Sequence, residues 1–208
     1  MRPGVAAVPS LRCWKFRATT RRSSSPSTSA RSAVHSSPGK EAGTKPEVRL
    51  HEDSPMALWN DPIRWSALCS GAECPICRRL EPLDVLARLE GSWLTMPETG
   101  PIHGYVCLVS LLHAVELHDL PEDAAAAFMR DARKVSQAVA STTRAIKLNY
   151  EIHGNSLPHL HMHFFPRYRG DQFEGQPINP RLASQPAYAP GQFQVIRAAL
   201  LGALRRLP

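Results

Sequence analysis

Residues 159–165 read His-Leu-His-Met-His-Phe-Phe, an alternation of period two that sorts onto two faces only if the chain is extended. In a strand, His159, His161 and His163 share one face, with neighbours about 6.6 Å apart. Leu160, Met162 and Phe164 share the other. The apolar set is expected to pack into a core and the imidazoles to line an open surface or cleft. A buried face of three imidazoles would need a partner for every ring nitrogen, so packing alone does not account for the pattern. A histidine-rich solvent face on an edge strand is the plain alternative.

Other periodicities supply the partners of this strand. The stretches DVLARLEG and SWLTMPE are short, partly alternating and split by Gly91, as a hairpin would be. HGYVCLVSLLH, residues 103–113, is apolar and β-branched enough for a buried strand. Pro121 then opens PEDAAAAFMRDARKVSQAVASTT, where proline suits the first turn and two acids sit near the positive end of a helix dipole. Phe128, Ala132, Val135 and Val139 fall on one helical stripe that should cover a sheet. RAIKLNY (144–150) reads as a strand, EIHGNSLP as a loop, the Pro- and Gly-rich stretch 170–191 as irregular, and FQVIRAALLGALRRL (193–207) as a C-terminal helix. Strands, then a helix, then strands describe an α+β domain with an antiparallel sheet and the helix on one face.

The formal charge of +7 is unevenly placed. Eight of the 25 Lys and Arg residues lie in the first forty residues, which contain no acid, leaving 17 basic against 18 acidic side chains beyond them. The folded part is therefore near neutral, and no nucleic-acid partner is expected. Residues 1–55 are read as a basic, Ser-rich disordered tail and linker, 56–168 as the main folded domain, and 169–208 as an irregular segment with a C-terminal helix. Arg-rich, Ser-rich and acid-free is the composition of an organellar transit peptide; a solvated tail, or a start over-extended ahead of Met56, are the other readings. No apolar run approaches the roughly 18 residues needed to cross a bilayer, so no membrane partner is expected and the location is cytoplasmic, or organellar if the tail directs import.

Five cysteines, with one tight pair, argue for reduced thiols and a metal pair in preference to a disulfide framework. Two chemistries suit the histidine strand: a ligand set for a metal hydrolase, or a neutral imidazole acting as nucleophile on phosphorus. A catalytic HxHxDH cluster needs an aspartate and a further histidine after the pair, and Phe164 and Phe165 stand in their place. Cys74 and Cys77 instead direct any zinc to sulfur ligands in a closed structural site.

The pattern His-φ-His-φ-His-φ-φ, met by HLHMHFF, resembles the signature of the histidine triad (HIT) family of nucleotide hydrolases and transferases. The resemblance extends to CPIC, to GYVCLVSLLHAVELHDLP and to KLNYEIHGNSLPHLHMHFFPRY, and so spans roughly residues 74–168. It implies a sheet of about five antiparallel strands with one long helix, and a homodimer. It implies zinc held by Cys74, Cys77, His113 and His159, His161 as the nucleophile that forms a nucleotidyl-histidine, and His163 as a contact to phosphate oxygens. Asn149, Asn155 and Ser156 are the implied nucleotide-binding donors, in a loop one residue shorter than the family forms. The implied substrates are purine nucleotides: nucleoside phosphoramidates, dinucleoside polyphosphates or nucleoside phosphosulfates, with water or another phosphate as acceptor. Leucines replace the usual basic residue in VSLLH. His118 and His153 are extra and read as loop or surface histidines, Arg167 and Arg169 as phosphate contacts or a solvated rim, and Cys69 and Cys107 as structural. The alternatives to this reading are a metal-dependent hydrolase using the HxHxH strand and a nucleotide-binding regulator without turnover.

Overall fold

The computed structural model describes residues 58–183 and 187–207; the tail and linker expected over 1–55 lie outside the described residues, as do the readings of that stretch as a transit peptide. Five strands, β1 (Val85–Arg88), β2 (Ser92–Thr95), β3 (Val106–Ser110), β4 (Lys147–Glu151) and β5 (His161–Arg167), form one antiparallel sheet in the order β1-β2-β3-β5-β4. This is the expected α+β architecture. Among the described residues four α-helices accompany it: α1 (Pro62–Cys69), α2 (Pro75–Arg79), α3 (Glu122–Thr143) and α4 (Gln192–Arg206).

The alternation of the strands sorts their side chains as the pleat requires. Leu94, Val106, Leu108, Met162 and Phe164 join Phe128, Ala132, Val135 and Val139 of α3 in one buried core, and all four residues of the expected helical stripe are buried. Ile196, Leu200, Ala203 and Leu204 of α4 enter the same core. On the other face Tyr105, Cys107, Val109 and Phe165 form a second cluster with Cys74, Ile76 and Ile178. The β1–β2 turn is pinned to α3 by Asp131, which is buried and accepts from the N–H groups of Glu90 (3.3 Å) and Gly91 (2.8 Å) and from Ser92 Oγ (2.6 Å). Glycine is required there because a Cβ at Gly91 would lie 2.9 Å from both Ala127 Cβ and Phe128 N.

Several boundaries differ from the sequence reading. The histidine strand begins at His161, two residues late. Behind Pro158, the His159 N–H donates to Leu157 O (2.9 Å), a tight turn that takes His159 out of the ladder. Leu160 then joins the sheet's margin by donating to Ala114 O and accepting from Ser110 N–H (3.0 Å). His159 thus lies outside the ladder, yet Leu160 enters the α3-side core with Met162 and Phe164 while His159 meets Cys74 of the opposite cluster, so its side chain stays on the side of His161 and His163. β4 begins three residues after the expected start because Arg144, in the left-handed conformation (φ 53°), caps α3 and turns the chain first. The segment around the Cys-Pro-Ile-Cys turn is helical: Asp61 caps α1 by accepting from Arg64 N–H (3.0 Å), and Pro75 occupies the first turn of α2.

Candidate functional site

The sheet face away from α3 carries two adjoining groups of side chains. The first gathers residues from three separate pieces of chain. Cys74 caps α2 and Cys77 lies within it, His113 follows β3, and His159 sits in the turn before β5. Their ligand atoms all lie within 4.8 Å of one another. Gly71 (φ +83°) lets the α1–α2 turn approach His113, since a Cβ there would already meet the ring at 3.3 Å.

Hydrogen bonds fix the tautomers of both rings. His159 Nε2 donates to Ser110 O (3.0 Å) and His113 Nε2 donates to Cys69 O (2.9 Å). Each Nδ1 then presents a lone pair, and the two face each other across 3.2 Å. Cys77 Sγ lies 3.3 Å from His113 Nδ1 and 3.6 Å from His159 Nδ1, and Cys74 Sγ lies 3.4 Å from His159 Nδ1. Facing lone pairs at that separation repel unless a cation sits between them. The edges of a tetrahedron built from zinc–nitrogen and zinc–sulfur bonds are about 3.3–3.8 Å, close to these distances. Burial pushes the Cys77 thiol up to about 11, with Cys74 adding to the effect, so a cation is what would make it a thiolate ligand. The donor set, the tautomers and the spacing fit zinc.

The second group lies on β5 beside the first. His161 and His163 are partly buried, with ring centroids 4.8 Å apart. His161 Nδ1 donates to His159 O (2.6 Å), which leaves the lone pair on Nε2. Burial holds its ring below the usual imidazole range, and the neighbouring His153 adds to this. His163 is pushed down to about 4, chiefly by burial and then by His161 and His153. Both rings are neutral near pH 7. His163 Nδ1 is 2.7 Å from the Tyr105 hydroxyl, and its ring stacks on those of Tyr105 and Phe165. Burial raises the Tyr105 phenol, with Cys107 second among the causes, so it remains a hydroxyl.

The implied nucleotide contacts are less tightly gathered. Asn149 lies on β4 opposite Phe165 and is half-buried; Asn155 and Ser156 are exposed on the loop between β4 and the His159 turn. Arg167 is engaged by the segment that follows β5. Its guanidinium is buried and donates to both Asp171 carboxylate oxygens (2.9 Å each), to Gln176 O (2.9 Å) and to Phe173 O. Arg169 is exposed, and so is His118.

A family model described as HIT domain matches residues 94–170. The chain contains a HIT domain. A histidine triad protein of Bradyrhizobium japonicum superposes with a TM-score of 0.52 at 29% identity, covering 58% of this chain and 89% of its own. Histidine triad proteins of Marinobacter aquaeolei (TM-score 0.51, 23% identity, 60% and 90% covered) and Sinorhizobium meliloti (TM-score 0.52, 18% identity, 57% and 87% covered) share the fold. No curated protein matches the chain. The HIT domain match spans β3, α3, β4 and β5 but begins after Cys74 and Cys77. Two of the four clustered ligands thus come from α2, outside the matched segment, and reach His113 and His159 only because α2 packs on the histidine face.

Sequence reasoning passed over two side chains beside the HIT histidines. Tyr105 lies in the stretch quoted for the strand before the helix, yet nothing in its spacing ties it to His163: it stands just before β3, whose Cys107 is the residue paired with His163, and its hydroxyl reaches the ring from the adjoining chain. His153 was expected to be a loop or surface residue; it is exposed, but its ring centroid is 5.9 Å from that of His163.

Proposed function

We propose that the chain is a nucleotide hydrolase or nucleotidyltransferase that cleaves at the α-phosphate of purine nucleoside phosphoramidates or dinucleoside polyphosphates through a nucleotidyl-His161. The observation that carries this reading is the hydrogen bond from His161 Nδ1 to His159 O at 2.6 Å. It holds the tautomer whose Nε2 lone pair can attack phosphorus, and burial keeps that nitrogen unprotonated. His161 Nε2 bonds to the α-phosphorus as the leaving group departs; water or a second phosphate then displaces His161. His163, accepting from Tyr105 at Nδ1, would present Nε2–H to a phosphate oxygen. Asn149, Asn155 and Ser156 are the remaining donors expected at the nucleotide.

Zinc, held by Cys74, Cys77, His113 and His159, would supply a cross-link between α2, the end of β3 and the turn before β5. The backbone carbonyl that orients His161 belongs to one of the proposed ligands, so the cluster positions the nucleophile without touching substrate. A metal hydrolase would need His161 and His163 in a ligand set, and among the described residues neither belongs to the one grouping of such donors. We assign the homodimer to the open edge of β4.

The test is AMP release from adenosine 5′-phosphoramidate by the wild type and by His161→Ala, both checked for fold. The proposal expects turnover in the first and a loss of at least about 10³-fold in the second. Equal rates would remove His161 from the mechanism, and binding of AMP with no turnover in the wild type would favour a regulator.

A further inference from the structure

A reaction that expels an amine or an alkoxide needs a proton, and the residues assigned so far do not provide one. His161 is consumed as nucleophile, and His163 is neutral with its Nδ1 taken by Tyr105. The adjoining edge of the site carries a further imidazole. Glu151, the last residue of β4, lies opposite His163 in the register. His153 folds back upon it, Nε2 donating to Glu151 Oε2 at 2.8 Å, with side-chain exposures of 53% and 17% for His153 and Glu151. His161, His163 and His153 therefore form a row of rings, 4.8 and 5.9 Å between successive centroids, that ends on a carboxylate. His153 is its solvent-facing member, and its Nδ1 makes no hydrogen bond among the described residues.

We propose that His153, oriented by Glu151, is the catalytic acid that protonates the leaving group and the base that then receives a proton from the incoming water. This rests on the nucleotidyl-histidine reading. In the first step the His161 Nε2 lone pair forms the N–P bond, the bond from phosphorus to the leaving atom breaks with its electron pair going to that atom, and the proton on His153 Nδ1 follows it. In the second, a water oxygen bonds to phosphorus, the N–P pair returns to His161, and the water proton passes to His153 Nδ1. Glu151 is the positioning residue. Its carboxylate holds Nε2–H and supports the ring while it carries two protons. The titratable groups facing His153 are Glu151 on β4 and His161 and His163 on β5, while Tyr105 and Arg167 act on Glu151.

Leaving-group dependence separates an acid from a structural histidine. Two probes serve: an N-alkyl phosphoramidate of AMP, whose amine must be protonated to leave, and the p-nitrophenyl ester of AMP, whose phenolate departs without a proton. For His153→Ala we expect a loss on the order of 10²-fold or more in kcat/KM on the amidate and a far smaller loss on the ester. Glu151→Gln should show the same bias with a smaller loss. Equal losses on both probes, or none on the amidate, overturn the acid. His161→Ala must lose both probes: if it does while His153→Ala shows no leaving-group bias, the acid alone falls. A His161→Ala variant that turns over both at the wild-type rate overturns the nucleotidyl-histidine and the acid with it.

Discussion

The two faces of the sheet are built from the same strands and do different work. Towards α3 the odd-man-out is rare: Leu94, Val106, Leu108, Met162 and Phe164 are buried against Phe128, Val135 and Val139, and the one charged group at that layer, Asp131, is satisfied by the turn it caps. On the opposite face the intervening residues are Trp93, Cys107, Val109, His161, His163 and Phe165, with half-buried imidazoles among apolar neighbours. A period of two thus places packing and chemistry one residue apart. A register slip of a single residue would bury the histidines under the helix and turn Phe164 towards substrate. The core face is what fixes the register, and the site depends on it.

Single substitutions on the two faces should have opposite consequences. His161→Ala should lower turnover by at least about 10³-fold, a barrier increase of roughly 4 kcal/mol, with little change in urea stability. Phe128→Ala should do the reverse in kind, costing about 3–5 kcal/mol of stability through the cavity it leaves, while the protein that stays folded keeps its activity per mole. Urea titration and AMP release, measured on both variants, check the pair. If His161→Ala destabilised as much as Phe128→Ala, the histidine face would have to be counted as core.

The cluster of Cys74, Cys77, His113 and His159 lies between these extremes, because it belongs to the histidine face and yet, with the proposed zinc bound, would tie the chain together. Cys74→Ser with Cys77→Ser should lower the zinc content and the melting temperature together, the latter by about 5–10 °C. Metal analysis and calorimetry read both. Stoichiometric zinc in the double variant would sink the assignment of those two ligands.

How much of this was legible in the sequence follows from the range of each interaction. Local periodicity was enough for α3 and its buried stripe, for the β1–β2 hairpin and for the core side of β5. The family resemblance named Cys74, Cys77, His113 and His159, which the fold brings within 4.8 Å of one another. Alternation sided His159 with His161 and His163 but also put it inside the strand, because nothing in a two-residue period reports the Leu157 turn that ends the ladder before it. α1 and α2 were missed because helices of eight and five residues are too short to display a stripe. Tyr105 was overlooked, and His153 read only as a loop or surface histidine, because each meets His163 from a different piece of chain, just before β3 and just after β4, and such contacts leave no local signal.

The two faces should also differ in their response to pH. Burial lowers the pKa of His159, His161 and His163, the last from 6.5 to about 4. A histidine whose folded pKa lies below its unfolded value binds its proton more readily when unfolded, so acid favours the unfolded chain. Stability should be constant above about pH 7 and fall as the pH drops from 6.5 towards about 4. Replacing His163 by Gln should flatten that slope, whereas a substitution on the α3 face should shift the whole curve without changing its shape. Thermal melts across the range distinguish the two; an unchanged slope in His163→Gln would mean that another group carries the acid sensitivity.

The smallest effect concerns the sheet's two edges. At β1 the edge is covered in part by α4, whose Arg197 donates to Val85 O at 3.1 Å. At β4 the edge strand and its flanks expose Ile146, Tyr150 and Ile152, at 64, 51 and 41%. An open edge strand with apolar flanks offers unpaired backbone groups and apolar area to a second copy. If the homodimer forms there, Tyr150→Glu should halve the mass measured by light scattering at micromolar concentration. The folded monomer should lose no more than roughly 0.5 kcal/mol, since an exposed side chain has little to give up. Although Asn149 and Glu151 of β4 belong to the proposed site, Tyr150 between them meets Phe164 on the opposite face, so turnover per chain should fall only if the partner shapes the nucleotide pocket. A dimer that persists in Tyr150→Glu would place the interface elsewhere. A monomer with lost turnover would show that the second copy completes the histidine face.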